Sequence, residues 1–303
     1  MLYKNLSGYL REKYGKRLKK ICIDAGFSCP NRDGKVSTGG CIFCGERGAG
    51  EHISPLTDIR EQAESAIRSA RDEEEFIAYF QNFTNTYADV ETLKSRYDAA
   101  LVSERIRVLA IGTRPDCIDE PVAKLLASYN ERLEVWVELG LQTASDETAR
   151  RINRGYSHEC FEGAMALLQE YGIKTVVHLI VGLPGESISD VAKTCEYISR
   201  FKLFGVKIHS IYVMAGTRLE KEYYEGRYTP PSLDEYVESA AYIVSHLNPE
   251  TVIHRLTGDC PDGLLVAPGW NKNKHETIKK IEEKLLSCGK RQGSDYFSKD
   301  SDN

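Results

Sequence analysis

The chain has 303 residues, which is enough to bury a large core in one domain with an extension. Hydrophobic residues make up 41% and charged residues 28%, as is ordinary for a globular protein. No apolar run approaches the roughly 18 residues of a membrane span, and the N-terminus lacks the apolar segment of a secretory signal. A cytoplasmic location is therefore expected.

The net charge of -5 argues against non-specific binding to nucleic acid, but the charge is unevenly spread. Residues 1–20 contain seven Lys or Arg against one acid, and residues 271–291 contain seven against three. The candidate RNA contacts in the first stretch are Lys16, Arg17, Lys19 and Lys20. Two interpretations remain: one anion-binding patch if the termini meet, or two solvated helix faces.

From residue 20 onward, short β-rich runs alternate with helical patterns. The predicted strands are 20–24, 76–80, 107–111, 133–139, 175–181 and 206–213, and the predicted helices lie near 56–71, 90–103, 119–129, 158–171 and 187–202. Six strand-then-helix units with nearly continuous apolar strands predict a parallel sheet with helices outside. Because a closed barrel needs eight units, we expect an α/β fold with an open, partial (β/α)6 TIM-like barrel. Chemistry in such folds collects at the carboxyl ends of the strands.

The predicted domain organisation has four parts. A basic N-terminal arm (1–19) precedes the barrel core (20–225), and a C-terminal α/β extension (226–288) follows it. The extension is predicted to contain a helix from 233 to 247, a short strand at 251–254 and an amphipathic helix at 272–287. The polar tail from 289 to 303 is predicted to be disordered.

Three of the nine cysteines have the spacing of metal ligands. Cys29, Cys41 and Cys44 form a C-x11-C-x2-C pattern directly after the first predicted strand. Iron–sulfur clusters are held by thiolates, and three protein ligands for four irons leave one iron open to a substrate or cofactor. A structural zinc site, with His52 as the fourth ligand, is the alternative. Most of the other six cysteines are expected to be small buried side chains.

These cysteines, with Phe43 before the last, resemble the signature of the radical S-adenosylmethionine superfamily. Later motifs resemble the branch that contains the catalytic subunit of Elongator; they are TRPD at 113–116, VELGLQT at 137–143, NRG at 153–155 and HLIVGLPG at 178–185. Residues 24–27 and 79–87 are similar to a compact bacterial subfamily, which is itself similar to enzymes that modify the wobble uridine of tRNA.

The resemblance implies an enzyme of the radical SAM type with a [4Fe–4S] cluster and S-adenosylmethionine as cofactors. It implies reductive cleavage of S-adenosylmethionine to a 5′-deoxyadenosyl radical, with electrons from a flavodoxin- or ferredoxin-type donor. The implied substrate is a tRNA wobble uridine or its carboxymethylaminomethyl side chain, with no membrane partner. A radical enzyme acting on a small molecule such as a porphyrin precursor and a non-catalytic zinc-binding module are the alternatives.

The resemblance also implies cofactor contacts. Where the superfamily often has Gly-Gly-Glu, this chain has other residues, so oxygens of Gln81, Thr84 and Asn85 are expected to hold the methionine amino group. Glu138 is expected to face the cofactor, with a structural ion pair as the alternative. Gln142 is a further candidate, for contact with the ribose. Gly182 and Leu183 are candidates for contact with the adenine, and the alternative is that they form an ordinary strand-to-helix turn.

Three further residues are candidates for contacts with substrate or RNA. Arg114 either pairs with Asp116 or meets a cofactor carboxylate or a phosphate. His178 and His209 lie on predicted strands and are candidate inward-pointing site residues, with satisfied core histidines as the alternative.

Overall fold

The main sheet has seven strands, all parallel to their neighbours and arranged in chain order. A computed structural model describes residues 1–48, 58–260 and 263–296. The strands are β1 (Lys19–Ile23), β2 (Phe76–Phe80), β3 (Ile106–Thr113), β4 (Glu134–Gln142), β5 (Lys174–Val181), β6 (Gly205–Ser210) and, after the short β7 (Val213–Met214), β8 (Val252–Arg255). A separate two-stranded sheet pairs β7 with β9 (Leu265–Ala267) in the antiparallel sense.

Helices connect the strands and follow them. In chain order they are α1 (Leu6–Tyr14), α2 (Ile59–Arg68), α3 (Val90–Ala100), α4 (Glu120–Asn130), α5 (Asp146–Arg151), α6 (His158–Glu170), α7 (Ile188–Ser199), α8 (Arg218–Tyr224), α9 (Leu233–His246) and α10 (Lys274–Ser287). In the part of the chain that the structure covers, no helix is both long and apolar enough to cross a membrane.

The predicted partial barrel is confirmed, and the extension adds to it. All six predicted strand-then-helix units are present, because the apolar residues of their strands are buried beneath the helices or inside the barrel. The predicted strand at 251–254 is β8, which pairs with β6 as a seventh strand rather than standing apart. The run predicted as one strand over 206–213 divides into β6 and β7, because Ile211 leaves the main sheet and packs in a different apolar cluster.

The two faces of the sheet have different partners. The outer face packs against α3, α4, α6, α7, α9 and α10 in the largest apolar cluster. The inner face carries a smaller cluster that includes Ile77, Val108 and Trp136, and Leu10 of α1 packs against it. Part of the basic N-terminal segment is therefore a helix, α1, which covers the inner face near the amino ends of the strands.

Glu134, at the start of β4, joins α1 to the barrel. Its carboxylate accepts hydrogen bonds from the phenols of Tyr9 and Tyr14, both at 2.6 Å, and from the indole of Trp136 at 2.7 Å. Lys13 and Lys174 form ion pairs with it. Burial alone would raise the pKa of Glu134, but the hydrogen bonds from the lysines and tyrosines outweigh burial and lower it to about 2.

The termini meet at the outer edge of β8. The backbone N–H of Ile253 donates to the carbonyl of Lys4 at 2.7 Å, and the N–H of Gln292 donates to the carbonyl of Leu2 at 2.9 Å. The Gln292 side chain is buried and donates to the carbonyls of Asn248 and Thr251. Residues 289–296 are therefore packed on the domain, which corrects the prediction of disorder for this part of the tail; residues 297–303 lie outside the described residues.

Glu134→Gln should destabilise the fold at neutral pH. A folded-state pKa near 2 against the ordinary 4.5 corresponds to about 3 kcal/mol, which is present above pH 5 and is lost as the pH falls towards 2. Urea unfolding of the metal-free protein at a series of pH values measures this. The stability gap between parent and variant should close on acidification, and Glu131→Gln, an exposed neighbour, is the control. A gap that is independent of pH would contradict the assignment.

Candidate active site

The three cysteines lie in one loop that leaves the carboxyl end of β1. The thiols of Cys41 and Cys44 hydrogen bond to each other, and the backbone N–H of Cys44 donates to the carbonyl of Cys41 at 3.1 Å. Gly40 has a φ of 73°, and a Cβ there would lie 2.9 Å from Nε of Arg32. Glycine is therefore required for the turn that brings the two thiols together.

Arg32 and Asn31 support this loop from within. The Arg32 guanidinium donates to the carbonyl of Cys44 at 3.3 Å, and the Asn31 amide donates to Sγ of Cys41 at 3.7 Å. The hydrogen bond from Cys41 lowers the pKa of Cys44 and outweighs burial, with Arg32 acting in the same direction. The same hydrogen bond and burial raise the pKa of Cys41.

The NRG motif fixes the cysteine loop in place. The Asn153 side chain donates to the carbonyl of Gly40 at 2.8 Å, and its own carbonyl accepts from Asn31 at 2.5 Å. The N–H of Ile42 donates to the carbonyl of Ile152 at 3.0 Å. A Cβ on Gly155 would lie 2.7 Å from Oδ1 of Asn31, so the glycine permits this close approach.

Two arginines hold the loops at the ends of β3 and β4. Arg114 forms a bidentate pair with Asp116, with contacts of 2.9 and 2.7 Å, and donates to the carbonyl of Arg154 at 3.0 Å. Of the two interpretations open for Arg114, the structure therefore shows the pair with Asp116. Arg154 is 1% exposed and donates to the carbonyls of Leu141 and Thr143, which makes it a loop-bracing residue.

Gln142 lies at the end of β4 with a φ of 62°, and its side-chain oxygen accepts from the Tyr156 hydroxyl at 3.1 Å. Tyr156 also donates to the carbonyl of Gly140 at 2.6 Å. Tyr156 therefore holds the strand end at which the ribose contact was predicted.

The segment after β2 contains buried polar atoms with no protein partner. Thr84 and Asn85 are fully buried, yet Thr84 Oγ1 and Asn85 Oδ1 have no hydrogen-bond partner in the described part of the chain. The N–H of Thr84 donates to the carbonyl of Ser28 at 3.2 Å, so this segment lies directly against Cys29. The backbone N–H of Gln81 donates to the carbonyl of Ile23 at 3.3 Å, at the end of β1. Buried oxygens without partners are costly, and they suit a segment that holds a bound polar group.

The turn after β5 is covered by the start of the extension. Gly182 has a φ of 92°, and a Cβ there would lie 2.6 Å from Cδ of Pro231. The Tyr228 hydroxyl donates to the carbonyl of Gly182 at 2.8 Å. Leu183 is buried in the same apolar cluster as the half-buried Phe43, which joins this turn to the cysteine loop.

A network of buried polar side chains lies on the inner face beneath these loops. One carboxylate oxygen of Glu138 accepts from the Tyr79 hydroxyl at 2.7 Å, bonds to Nε2 of His178 at 3.0 Å and pairs with Lys207. Lys207 also donates to the Tyr79 hydroxyl at 3.0 Å. The structure therefore gives Glu138 the ion pair that the sequence left as the alternative.

The charges in this network shift one another's protonation. Burial would raise the pKa of Glu138, but the charge of Lys207 and the contact with His178 hold it well below its usual range. Burial and the nearby Lys20 and Arg255 lower the pKa of Lys207 to about 7, although Glu138 opposes this. Burial and the Lys207 charge also lower the pKa of His178.

His209 lies beside this network, with its ring centroid 5.1 Å from that of His178. Its Nε2 is buried without a partner in the described residues, and burial holds its pKa well below the usual range. The two rings thus lie side by side, with His178 bonded to Glu138 and Nε2 of His209 left without a partner in the described residues.

Sequence reasoning missed Lys207 and Tyr79. Lys207 lies between the buried Val206 and Ile208 on β6, which is the same signal that singled out Glu138. A second charged residue in an apolar strand indicates the partner of Glu138. Tyr79 belongs to the motif at 79–87, but a tyrosine in an apolar strand does not by itself indicate a buried polar contact.

The basic residues of the N-terminal segment divide between two places. Lys19 pairs with Glu74 at 2.7 Å, and Lys16 donates to the carbonyl of Glu73 at 3.0 Å. Together with the exposed Arg17 they lie at the amino end of β1, a strand length of roughly 16 Å from the cysteine loop. Lys20 instead lies over the Tyr79 ring, 5.2 Å from its centroid, inside the barrel.

Among residues 1–48, 58–260 and 263–296, no three His, Cys, Asp or Glu side chains converge tightly enough for a single metal ion. His52, the proposed fourth zinc ligand, lies outside the described residues. Three thiols in one loop are the ligand type that would hold an iron–sulfur cluster.

A partial parallel barrel with three thiols in a loop at the carboxyl ends of its strands is the arrangement of an α/β enzyme that works at those ends. The model of the Radical SAM superfamily matches residues 33–198, and that of the Radical SAM C-terminal domain matches residues 204–287. The chain belongs to the radical SAM superfamily. As a member it is an enzyme that uses a [4Fe–4S] cluster and S-adenosylmethionine.

Relatives and solved structures agree with this assignment. The chain is 37% identical to protein YtqA of Bacillus subtilis, over 96% of this chain and 92% of that protein, and 35% identical to protein YhcC of Escherichia coli, over 93% and 92%. It is 31% identical to a tRNA uridine(34) acetyltransferase of Methanocaldococcus infernus, over 64% of this chain and 38% of that protein.

The fold matches the structure of Elp3 from Methanocaldococcus infernus with a TM-score of 0.69 at 20% identity, over 91% of this chain and 64% of that chain. The sequence relatives confirm the resemblance to the Elongator branch and to a compact bacterial subfamily.

Glu138→Ala should strongly destabilise the protein, because it leaves Lys207 buried without its counter-charge. The expected loss is about 3–5 kcal/mol of unfolding free energy, measured by urea unfolding. The double variant Glu138→Met with Lys207→Met should recover much of that loss, since it removes both charges together. If Glu138→Ala unfolds like the parent, the ion pair does not contribute to stability.

Proposed function

We propose that Cys29, Cys41 and Cys44 hold the cluster and that the enzyme acts on the wobble uridine of tRNA, at its carboxymethylaminomethyl side chain. The observation that carries the first part is the single loop at the carboxyl end of β1, which places two thiols in contact and Cys29 close enough to raise the pKa of Cys44. Such strand ends are where this fold does its chemistry.

The surroundings of the loop fit a bound cluster and cofactor. Asn31 and Arg32 direct donors at the sulfur and carbonyl groups of the loop, and hydrogen bonds of this kind stabilise thiolate ligands. Thr84 Oγ1 and Asn85 Oδ1 are buried in the segment that contacts Ser28, and neither has a partner among the described residues. They would accept the hydrogen bonds of the methionine amino group, as the sequence resemblance implies.

Together the cluster and S-adenosylmethionine supply the means to remove a hydrogen atom from an unactivated carbon. The chain's own contribution is to position the reactants and to exclude water. Leu183 and Phe43 provide an apolar wall beside the cysteine loop, and Gly182 lets the turn after β5 pack closely against Pro231. The inner face beneath offers polar side chains to the substrate.

The similarity to a tRNA uridine(34) acetyltransferase supports tRNA as the substrate. The basic ends of the chain lie near each other, since residues 2 and 4 contact residue 292. Several of their charges are already paired, as in Lys4 with Glu250 and Lys284 with Glu238. Exposed cations such as Arg11 and Arg17 remain for RNA phosphates, and a cytoplasmic location, where tRNA is found, agrees with this role.

Anaerobically reconstituted protein should contain about four iron and four sulfide per chain. Cys41→Ala should abolish both the cluster absorbance and the formation of 5′-deoxyadenosine, because a ligand is lost. Cys288→Ala, which changes an exposed thiol at the end of α10, is the matched control and should behave like the parent. Stoichiometric zinc without sulfide in protein purified without oxygen would contradict the cluster assignment.

In tRNA from a strain that lacks this enzyme, wobble uridine with an intact carboxymethylaminomethyl group should accumulate. Mass spectrometry of digested nucleosides measures it. The parent gene and Cys288→Ala should restore the normal profile, whereas Cys41→Ala should not, because the chemistry depends on the cluster. An unchanged nucleoside profile, together with active 5′-deoxyadenosine formation by the pure protein, would favour a small-molecule substrate instead.

A further inference from the structure

The inner face of the barrel collects more positive charge than its one buried carboxylate can balance. Glu138 pairs with Lys207, and both side chains are almost completely buried. Lys20 from β1 and Arg255 from β8 approach the same network from the two edges of the sheet. Lys20 lies 5.2 Å from the centroid of the Tyr79 ring. Arg255 stands opposite Lys207 where β8 runs beside β6.

Neither of these outer cations has a close carboxylate of its own in the network. Within the described ranges, no carboxylate lies at ion-pair distance from Lys20. Arg255 reaches Asp259 only at 3.5 Å, and Asp259 is also paired with Lys274. The network therefore has an excess of positive charge at its solvent-facing side.

This excess is unfavourable for a purely structural ion pair. After burial, the charges of Lys20 and Arg255 are what lower the pKa of Lys207 to about 7. A Glu138–Lys207 pair needs neither cation for its own stability, and an added anion would relieve the repulsion. Titratable groups held in such an arrangement in a cleft are candidates for functional sites.

The outer side of the network is open. Lys20 and Cys22 are exposed, and the side chains of Arg255 and His178 are 35% and 22% exposed, whereas Lys207 is 3% exposed. A small anion can therefore reach the two outer cations from solvent, with Lys207 forming the floor of the site.

We propose that Lys20, Lys207 and Arg255 bind a carboxylate group of the substrate. This inference rests on the proposed function, in which the substrate is a wobble uridine with a carboxymethylaminomethyl group. That substituent ends in a carboxylate, and an aminomethyl substituent does not. A site that binds the charged group discriminates strongly against the analogue without it. It also fixes the position of the neighbouring methylene carbon, which is what hydrogen abstraction requires.

The test compares equilibrium binding of two tRNAs to the reconstituted holoenzyme. One tRNA carries carboxymethylaminomethyluridine at the wobble position, and the other carries aminomethyluridine. Contacts to phosphates are the same in both, so the affinity ratio isolates the carboxylate. The variants are Lys20→Gln, Arg255→Gln and the charge-conserving Arg255→Lys, with Lys124→Gln on the outer helix α4 as the matched control.

The parent should prefer the carboxylate-bearing tRNA by about tenfold or more, since a hydrogen bond to a charged group is worth at least that much. Lys20→Gln and Arg255→Gln should each reduce the preference by about tenfold, Arg255→Lys should retain part of it, and Lys124→Gln should leave it unchanged. Cluster content and S-adenosylmethionine affinity should stay at the parent's level in all four variants.

Three results would overturn the inference. If the parent prefers the carboxylate-bearing tRNA and the Gln variants keep that preference, the recognition lies elsewhere and the proposed function stands. If the Gln variants lose affinity for S-adenosylmethionine while the preference is unchanged, the cations serve the cofactor. If the parent binds neither tRNA, the proposed function fails, and the inference fails with it.

Discussion

The buried Glu138–Lys207 pair sets the arrangement of the barrel interior. Two charges taken out of water are stable only when they contact each other and their remaining hydrogen-bonding groups are satisfied, which Tyr79 and His178 do. These four side chains come from four different strands, so the pair fixes the register in which β2, β4, β5 and β6 face one another across the inside. Apolar side chains could fill the same space, but they would leave no polar groups beneath the cysteine loop.

The cysteine loop depends on a second constraint, its attachment to the NRG motif. Asn153 accepts from Asn31 and donates to Gly40, so it clamps both sides of the turn that carries Cys41. The φ of 56° at Asn153 belongs to the left-handed region that asparagine tolerates better than most residues. The motif therefore acts by holding the loop, and this explains its residue types without any direct contact to a ligand.

The sequence was informative where periodicity and burial coincide. Strands of the parallel sheet are buried on both faces and read as apolar runs, so β2 was predicted at its exact bounds and the helices within a few residues. The ends of β6 were harder to predict, because Ile211 and Val213 continue the apolar pattern while packing in another cluster. Local patterns do not show which of two apolar clusters a residue will join.

The candidate site was predictable in part for a related reason. Spacing identifies residues that are close along the chain, such as Cys41 and Cys44, whereas pairs such as Glu138 with Lys207 meet only through strand register. Lys20 illustrates the limit most clearly. It follows Lys19 in a basic run, but the alternation of a strand turns the two side chains to opposite sides, so one pairs with Glu74 and the other enters the barrel.

The amino ends of the strands contribute to stability, whereas the carboxyl ends carry the candidate active site. At the amino ends of the strands, Glu134 collects two lysines, two tyrosines and a tryptophan, and every one of these groups is a satisfied partner. At the carboxyl ends, Thr84, Asn85 and His209 keep buried atoms that have no partner among the described residues. A bound ligand can supply the missing hydrogen bonds of such groups, and in the proposed function the cofactor does so for Thr84 and Asn85.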